Sequence, residues 1–176
     1  MGEPSAATRS IDRLWRVGLR VGFRLQQLYW FLFRPEIQGV YVAVWCRGRL
    51  LVIQLSYKPD STIPAGGVKR GEALAVAAAR ELKEEVGIPL RPEALHLAGE
   101  VRGPSKYLKD HCHIFEVEFD SEPVVTIDRR EVVAAAFRTP EEALSQRLSP
   151  IVLAYLTDLP AGRARCGADS PSAARS

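Results

Sequence analysis

Between Ile63 and Pro89 the chain leaves itself few local shapes to choose from. The run Ile63-Pro64-Ala65-Gly66-Gly67-Val68-Lys69-Arg70-Gly71-Glu72 leads into a segment of helical apolar spacing, which stops at Gly87-Ile88-Pro89. Gly66, Gly67 and Gly71 tolerate positive φ and close backbone approach, so this loop can bend tightly around a ligand. Ala75, Ala78, Ala79, Leu82 and Val86 recur at helical spacing, a small-residue stripe that lets the helix lie close against a sheet. Gly87 reads as a left-handed cap, Ile88 as its apolar partner and Pro89 as the stop. Glu72 falls at the expected start of the helix, where an acid is favoured.

The same helix ends against its own electrostatics. Arg80-Glu81-Leu82-Lys83-Glu84-Glu85-Val86 sets three carboxylates before the glycine stop, where each acid costs about 0.3–1 kcal/mol because the terminal carbonyls are partly negative. Glu81 and Glu85 are i, i+4 neighbours and Glu81 and Glu84 i, i+3, so the three share one face and repel. Such a cluster calls for a cation. Oxygen-only ligands suit a hard divalent ion, and Mg²⁺, which keeps several waters and shares its shell with substrate phosphates, is favoured. A solvated acidic face on an ordinary surface helix is the competing reading; the glycine loop before it and the glycine stop after it weigh against that.

Gly66, Glu72, Arg80, Glu81, Leu82, Glu84, Glu85, Gly87 and Ile88 fill every fixed position of G-x5-E-x7-R-E-U-x-E-E-x-G-U, with U an aliphatic residue. On this run the chain resembles the Nudix hydrolase family. The resemblance implies an α/β fold, the Nudix-type α/β/α sandwich with a mixed β-sheet. It also implies an enzyme that uses Mg²⁺, or Mn²⁺, to direct water onto a phosphoanhydride in a nucleoside diphosphate linked to another moiety. Transfers of this kind are catalysed mainly by positioning and charge neutralisation. Position by position, the resemblance makes Glu81, Glu84 and Glu85 metal ligands, with the Gly66 carbonyl as a further ligand and Glu72 as the accessory acid. Arg80 becomes the guanidinium that pairs with a glutamate of the motif and fixes its rotamer, a task for its planar fork.

The general base varies within the family, so Glu84, Glu81 and the downstream Glu131 all stand as candidates. Asp128 to Phe137 resembles a further family feature, an acid a few residues before a late strand that usually ends in tryptophan; here Phe137 takes that place. Glu131 then either points into the cleft or pairs with Arg129 or Arg130 at the surface. Glu116 and Glu118 are expected on a strand that faces the cleft in this fold, where one could serve as a ligand; solvent-facing alternation is the competing reading.

A length of 176 residues suits one domain with a sizeable core. Hydrophobic content of 47% and charged content of 26% are ordinary for a globular chain. Cys46, Cys112 and Cys166 are odd in number and widely spaced, which argues against a disulfide framework and for a reducing, cytoplasmic setting. Expected strands are Gly39 to Cys46, Leu50 to Leu55 across the turn Arg47-Gly48-Arg49, Ala94 to Arg102, His111 to Phe119 and Val132 to Phe137. Thr139-Pro140 and Ser149-Pro150 each announce a short helix. His111 and His113 lack cysteine or carboxylate partners at metal-ligand spacing and read as strand residues, not zinc ligands.

Three segments divide the chain: a helical extension over 1–36, a hydrolase domain over 37–159 and a disordered tail over 160–176. In the first, Arg9, Arg13, Arg16, Arg20, Arg24 and Gln27 form one helical stripe opposite Ile11, Leu14, Trp15, Val21, Leu25, Leu28, Tyr29, Leu32 and Phe33. A basic amphipathic helix of this kind suits peripheral contact with an anionic membrane surface. It equally suits docking on the enzyme's own sheet or a homodimer seam, with Gly18 and Gly22 allowing close approach, and an organellar targeting peptide stays open. Its second face is too apolar for nucleic acid to be the expected partner.

Substrate choice is expected to lie in Arg102 to His111, where Arg102 and Lys106 offer cations for phosphates and Tyr107 a stacking face. An ADP-ribose or nucleotide-sugar pyrophosphatase leads, with a nucleoside triphosphate or RNA 5′-end pyrophosphohydrolase as runner-up. From a different class, a Nudix-fold module that binds a nucleotide without cleaving it remains; such members usually lose acids of the motif, and all are present here.

Overall fold

In the computed structural model, residues 36–102, 109–127 and 129–158 are described, together with Gly18, Val21, Gly22 and Leu25. Among them, strands β1 (Glu36–Cys46), β2 (Arg49–Leu55), β3 (Ser61–Thr62), β4 (Ala65–Gly67), β5 (His96–Arg102), β6 (Lys109–Phe119) and β7 (Val132–Arg138) join in one sheet. Helices α1 (Leu74–Val86), α2 (Pro140–Leu144) and α3 (Pro150–Thr157) pack against it.

The sheet is organised by a hairpin that opens. Arg47 and Gly48, at φ 50° and 70°, make the two-residue left-handed turn that matches strand twist. β1 and β2 stay paired only at Trp45↔Leu50 and Cys46↔Arg49. Beyond that point β3 takes the edge of β2, with Ile53↔Thr62 and Gln54↔Ser61, and β4 takes the edge of β1, with Val40↔Gly66 and Tyr41↔Ala65. The stretch from Ser61 to Gly67 is therefore a wedge between the splayed strands. Pro64 fits there because its carbonyl is the group required, accepting from the Val42 amide at 2.8 Å.

On its other edge β1 pairs with β6 in parallel, in unbroken register from Glu36↔Lys109 to Cys46↔Phe119. β5 then lies antiparallel on β6, and β7 antiparallel on β2. A central strand covered on both faces reads as a nearly continuous apolar run. Val40, Val42 and Val44 pack with Ala77, Ala78, Leu82 and Val86 of α1, while Ala43 and Trp45 pack with Ala143 of α2 and Ile151, Val152 and Tyr155 of α3. The expected α/β/α layering is present.

Glu116 corrects an expectation. It faces α3, where the Tyr155 hydroxyl donates to it at 2.6 Å and itself accepts from Trp45 Nε1 at 2.8 Å. The alternation of β6 sends the intervening odd positions, not Glu116, toward α1, and Glu118 is exposed.

α1 stops as expected at Gly87, φ 70°, whose amide donates to the Lys83 carbonyl. A Cβ there would press on Thr126 at 2.9 Å. Its start differs from expectation: the helix begins at Leu74 with Ala73 as an N-cap that offers no side-chain oxygen, so Glu72 lies in the loop and serves another partner. Thr139 caps α2 in a reciprocal box with Glu142 behind Pro140. Ser149 provides no such cap for α3, because its hydroxyl turns to Thr62 Oγ1 at 3.4 Å.

The amphipathic helix expected over 1–36 lies outside the described residues except for Gly18, Val21, Gly22, Leu25 and the start of β1, and the tail over 160–176 lies outside them altogether. Among the described residues no helix is long and apolar enough to cross a membrane.

Candidate active site

Arg80, on the side of α1 that meets the glycine loop, ties the acids of the motif together. Its Nε and Nη2 donate to the two oxygens of Glu72 at 2.9 and 3.0 Å. Nη2 also reaches the Gly67 carbonyl at 2.9 Å, and Nη1 donates to Glu81 Oε1 at 2.6 Å with Glu84 Oε2 at 3.4 Å. A planar fork can hold all of these at once; an ammonium cannot. Glu72 further accepts from the Lys69 amide at 2.9 Å. The Arg80 guanidinium, then that amide, hold the Glu72 carboxyl down to about 2.

The three acids of α1 occupy three environments. Glu81 lies against Gly66, where a Cβ would overlap its carboxylate; any other residue there would push the Glu81 side chain from its place. Burial pushes the Glu81 carboxyl up, and Arg80 opposes that rise. Glu85 is buried and accepts from the Ala65 amide at 2.9 Å. Burial pushes it up to about 8; the Ala65 amide and Lys58 pull it back, and the charges of Glu131 and Glu81 add to the rise. Glu84 has a side chain 58% exposed, and its contact with Arg80 is long at 3.4 Å, so of the three it is the one held least.

Glu131, just ahead of β7, joins this group. The Ser56 amide donates to its carbonyl at 2.8 Å, Ser56 Oγ donates to the Arg130 carbonyl at 2.9 Å, and Tyr57 donates its hydroxyl to Glu131 Oε1 at 2.9 Å. The half-buried Glu131 carboxylate is close enough to act on the titration of both Glu81 and Glu85. It is therefore turned toward Tyr57 and the acids of α1.

Tyr57 and Lys58 are site neighbours that the sequence does not announce. Burial and then Glu131 push the Tyr57 phenol far above its usual range. Burial lowers Lys58, while Glu85, Glu131 and Asp60 hold it up. They follow β2 at the point where the wedge opens, a placement that only the sheet topology reveals.

Among the described residues no three acids, histidines or cysteines already stand together in ligand geometry. The donor chemistry nevertheless fits a hard divalent cation, since Glu81, Glu84, Glu85 and the Gly66 carbonyl offer oxygen alone. Arg102 ends β5, opposite His111; Lys106 and Tyr107 lie outside the described residues. His113 is buried on β6, and neither ring nitrogen has a hydrogen-bond partner.

A family model for the NUDIX domain matches residues 36–159. Among curated proteins none matches the chain. Among solved structures, a MutT NUDIX hydrolase from Burkholderia pseudomallei aligns at a TM-score of 0.64 and 20% identity, over 72% of this chain and 99% of that one. A C. elegans Ap4A hydrolase, solved as a binary complex, aligns at 0.59 and 21% identity, over 69% and 93% of the two chains. A bifunctional NMN adenylyltransferase/ADP ribose pyrophosphatase from Francisella tularensis, complexed with AMP and a Mn ion, aligns at 0.62 and 20% identity, over 81% of this chain and 47% of that one. At these identities the likeness establishes a shared fold.

Proposed function

The chain belongs to the Nudix family, and on that footing we propose that it is a Mg²⁺-dependent hydrolase cleaving a phosphoanhydride bond in a nucleoside diphosphate linked to another moiety, of the ADP-ribose or nucleotide-sugar kind, with Mn²⁺ able to replace Mg²⁺. The observation that carries this reading is the grip of one guanidinium on Glu72, Glu81 and the Gly67 carbonyl, with Glu81 lodged in the space that Gly66 leaves open. Such an arrangement commits two acids, an arginine and a glycine to one locus. A surface helix has no use for that.

In this reading Glu81, Glu84, Glu85 and the Gly66 carbonyl hold the divalent ion, with Glu72 as the accessory acid. The ion, when bound, neutralises charge on the anhydride and acidifies water. Arg80 is a positioning residue that opposes the rise burial imposes on the Glu81 carboxyl and holds it in one rotamer. Glu81 is committed to Arg80, which leaves Glu84 and Glu131 as the stronger candidates for accepting the water proton. Tyr57 orients Glu131, and the ammonium of Lys58 offsets part of the negative charge around Glu85. Arg102, Lys106 and Tyr107 are assigned to the substrate's phosphates and base. The adenine nucleotides named for the C. elegans and Francisella proteins support a nucleotide substrate here.

The test is turnover of a panel holding ADP-ribose, nucleotide sugars, dinucleoside polyphosphates, nucleoside triphosphates and 5′-triphosphorylated RNA. Preference for ADP-ribose or a nucleotide sugar is expected. Preference for nucleoside triphosphates or triphosphorylated RNA ends would transfer the assignment to the pyrophosphohydrolase reading, and binding without any turnover would make the protein a non-catalytic module.

A further inference from the structure

Beside the acids of α1, a cleft of about 350 Å³ opens between the loop from Val68 to Glu72 and the floor formed by β1 and β6. Its walls include Gln38, Lys69, Arg70, Glu72 and His111. We propose that this cleft is a subsite for a phosphate group carried by the part of the substrate that lies beyond the scissile bond. The proposal rests on the hydrolase reading for its context and adds to it the chemistry of the leaving moiety.

The charge of the cleft is decided by what happens to Glu72. Both of its oxygens are taken, by the Arg80 fork and by the Lys69 amide, so the acid on the wall is turned to partners of its own and part of its charge is offset. Lys69 and Arg70 are exposed. Lys69 adds its charge to the pull on Glu72, and Arg70 stands on the same wall with no ion pair among the described residues. A guanidinium and an ammonium side by side are the donors that a phosphate monoester or a polyphosphate recruits.

The floor adds the hydrogen-bonding groups of Gln38 and His111, and behind the lining, on the same strand as His111, lies His113. Gln38 and His111 are register partners on β1 and β6, and the next pair on the same face is Val40 and His113. His113 is 7% exposed and both of its ring nitrogens are without hydrogen bonds. Glu100 Oε1 stands 3.3 Å from Nδ1 but outside hydrogen-bond alignment. A buried imidazole left without a partner is costly, and it lies two residues along β6 from the cleft's own histidine, on the same face. An oxygen-rich group that reached past His111 would supply the missing partner. The volume is larger than a lone phosphate needs and falls in the lower range of small-molecule sites, so it has room for a sugar attached to the phosphate.

Two sources share this chemistry: a phosphate on a terminal sugar, and the distal phosphates of a longer polyphosphate chain. Ribose 5-phosphate and inorganic pyrophosphate stand in for them, with ribose as the control. Each is titrated into the metal-free full-length protein while the ring resonances of His96, His111 and His113 are followed by NMR. Either anion is expected to shift His111 and His113, to leave His96 at the far end of β5 unmoved, and to do so where ribose does not. The tighter of the two identifies the source. The pair Lys69→Ala and Arg70→Ala together should weaken that binding about tenfold or more, while Arg70→Lys alone retains most of it.

The proposal is overturned if neither anion moves His111 or His113 at millimolar concentration, if ribose moves them equally, or if the double variant binds as the natural protein does. This binding is read without metal and without turnover. Its failure leaves the hydrolase assignment standing, and a failure of turnover leaves the subsite standing.

Discussion

Arg80 is the residue on which the site turns, because Glu72, Glu81 and the Gly67 carbonyl all depend on one guanidinium. Arg80→Lys keeps the charge and loses the fork. It is expected to lower kcat by about 10–100-fold, the usual scale for residues that orient metal ligands, with a small change in Tm, read by steady-state kinetics beside thermal unfolding. Glu85 yields a prediction of opposite kind. Its folded carboxyl stands at about 8 because it is buried, above its value in the unfolded chain, so the folded state holds the proton more tightly. Without metal, the contribution of this group is therefore fully present at pH 4 and is lost as pH rises from there through 8, with a slope of at most about 1.4 kcal/mol for each step of one in pH. Glu85→Gln should raise the Tm of metal-free protein at pH 8.5 and change it little at pH 5; equal effects at both pH values would show that burial does not perturb this group. The acids of α1 are legible in the sequence because they violate helix electrostatics. Their division into a buried, a clasped and an exposed carboxylate is not, since that depends on which side of α1 the wedge approaches.

Elements with sharp chemical punctuation are legible in the sequence, and those defined by pairing alone are not. Gly87 announces the end of α1, and the left-handed cap is there. Gly87→Ala should cost about 1–2 kcal/mol for the left-handed backbone, with the pressure on Thr126 added to it, measured by urea denaturation. The two Pro-started helices look alike in sequence and differ in the fold. Thr139→Ala removes a reciprocal cap and should cost about 1 kcal/mol, whereas Ser149→Ala, whose hydroxyl caps nothing, should cost clearly less. Equal losses would contradict the difference in capping. β3 and β4, of two and three residues, carry no readable alternation, and so the wedge that places Gly66 against Glu81 leaves no trace in the sequence.

At the scale of the molecule, β1 is the shared wall of two cores, and its alternation of Val40, Val42 and Val44 with Ala43 and Trp45 already implies coverage on both faces. Its parallel partnership with β6 is not readable, because register between strands so distant in sequence leaves no local mark. The same pairing sets Gln38 beside His111 and so builds the floor of the cleft next to the acids. On the far face, Tyr155→Phe would take away the acceptor of Trp45 Nε1 and one donor to Glu116 and should cost about 1–3 kcal/mol while leaving KM unchanged, since that face lies across the sheet from the acids of α1. The central claim is that these acids act on a phosphoanhydride through a divalent ion. The most direct measurement is the rate of ADP-ribose hydrolysis, followed by ³¹P NMR, as Mg²⁺ is titrated into metal-free natural protein and into Glu84→Gln. The account predicts no hydrolysis without metal, a saturating rise with Mg²⁺ in the natural protein, and a loss of about 100-fold or more in the variant. Hydrolysis that persists without metal, or that survives Glu84→Gln at the natural rate, would contradict it.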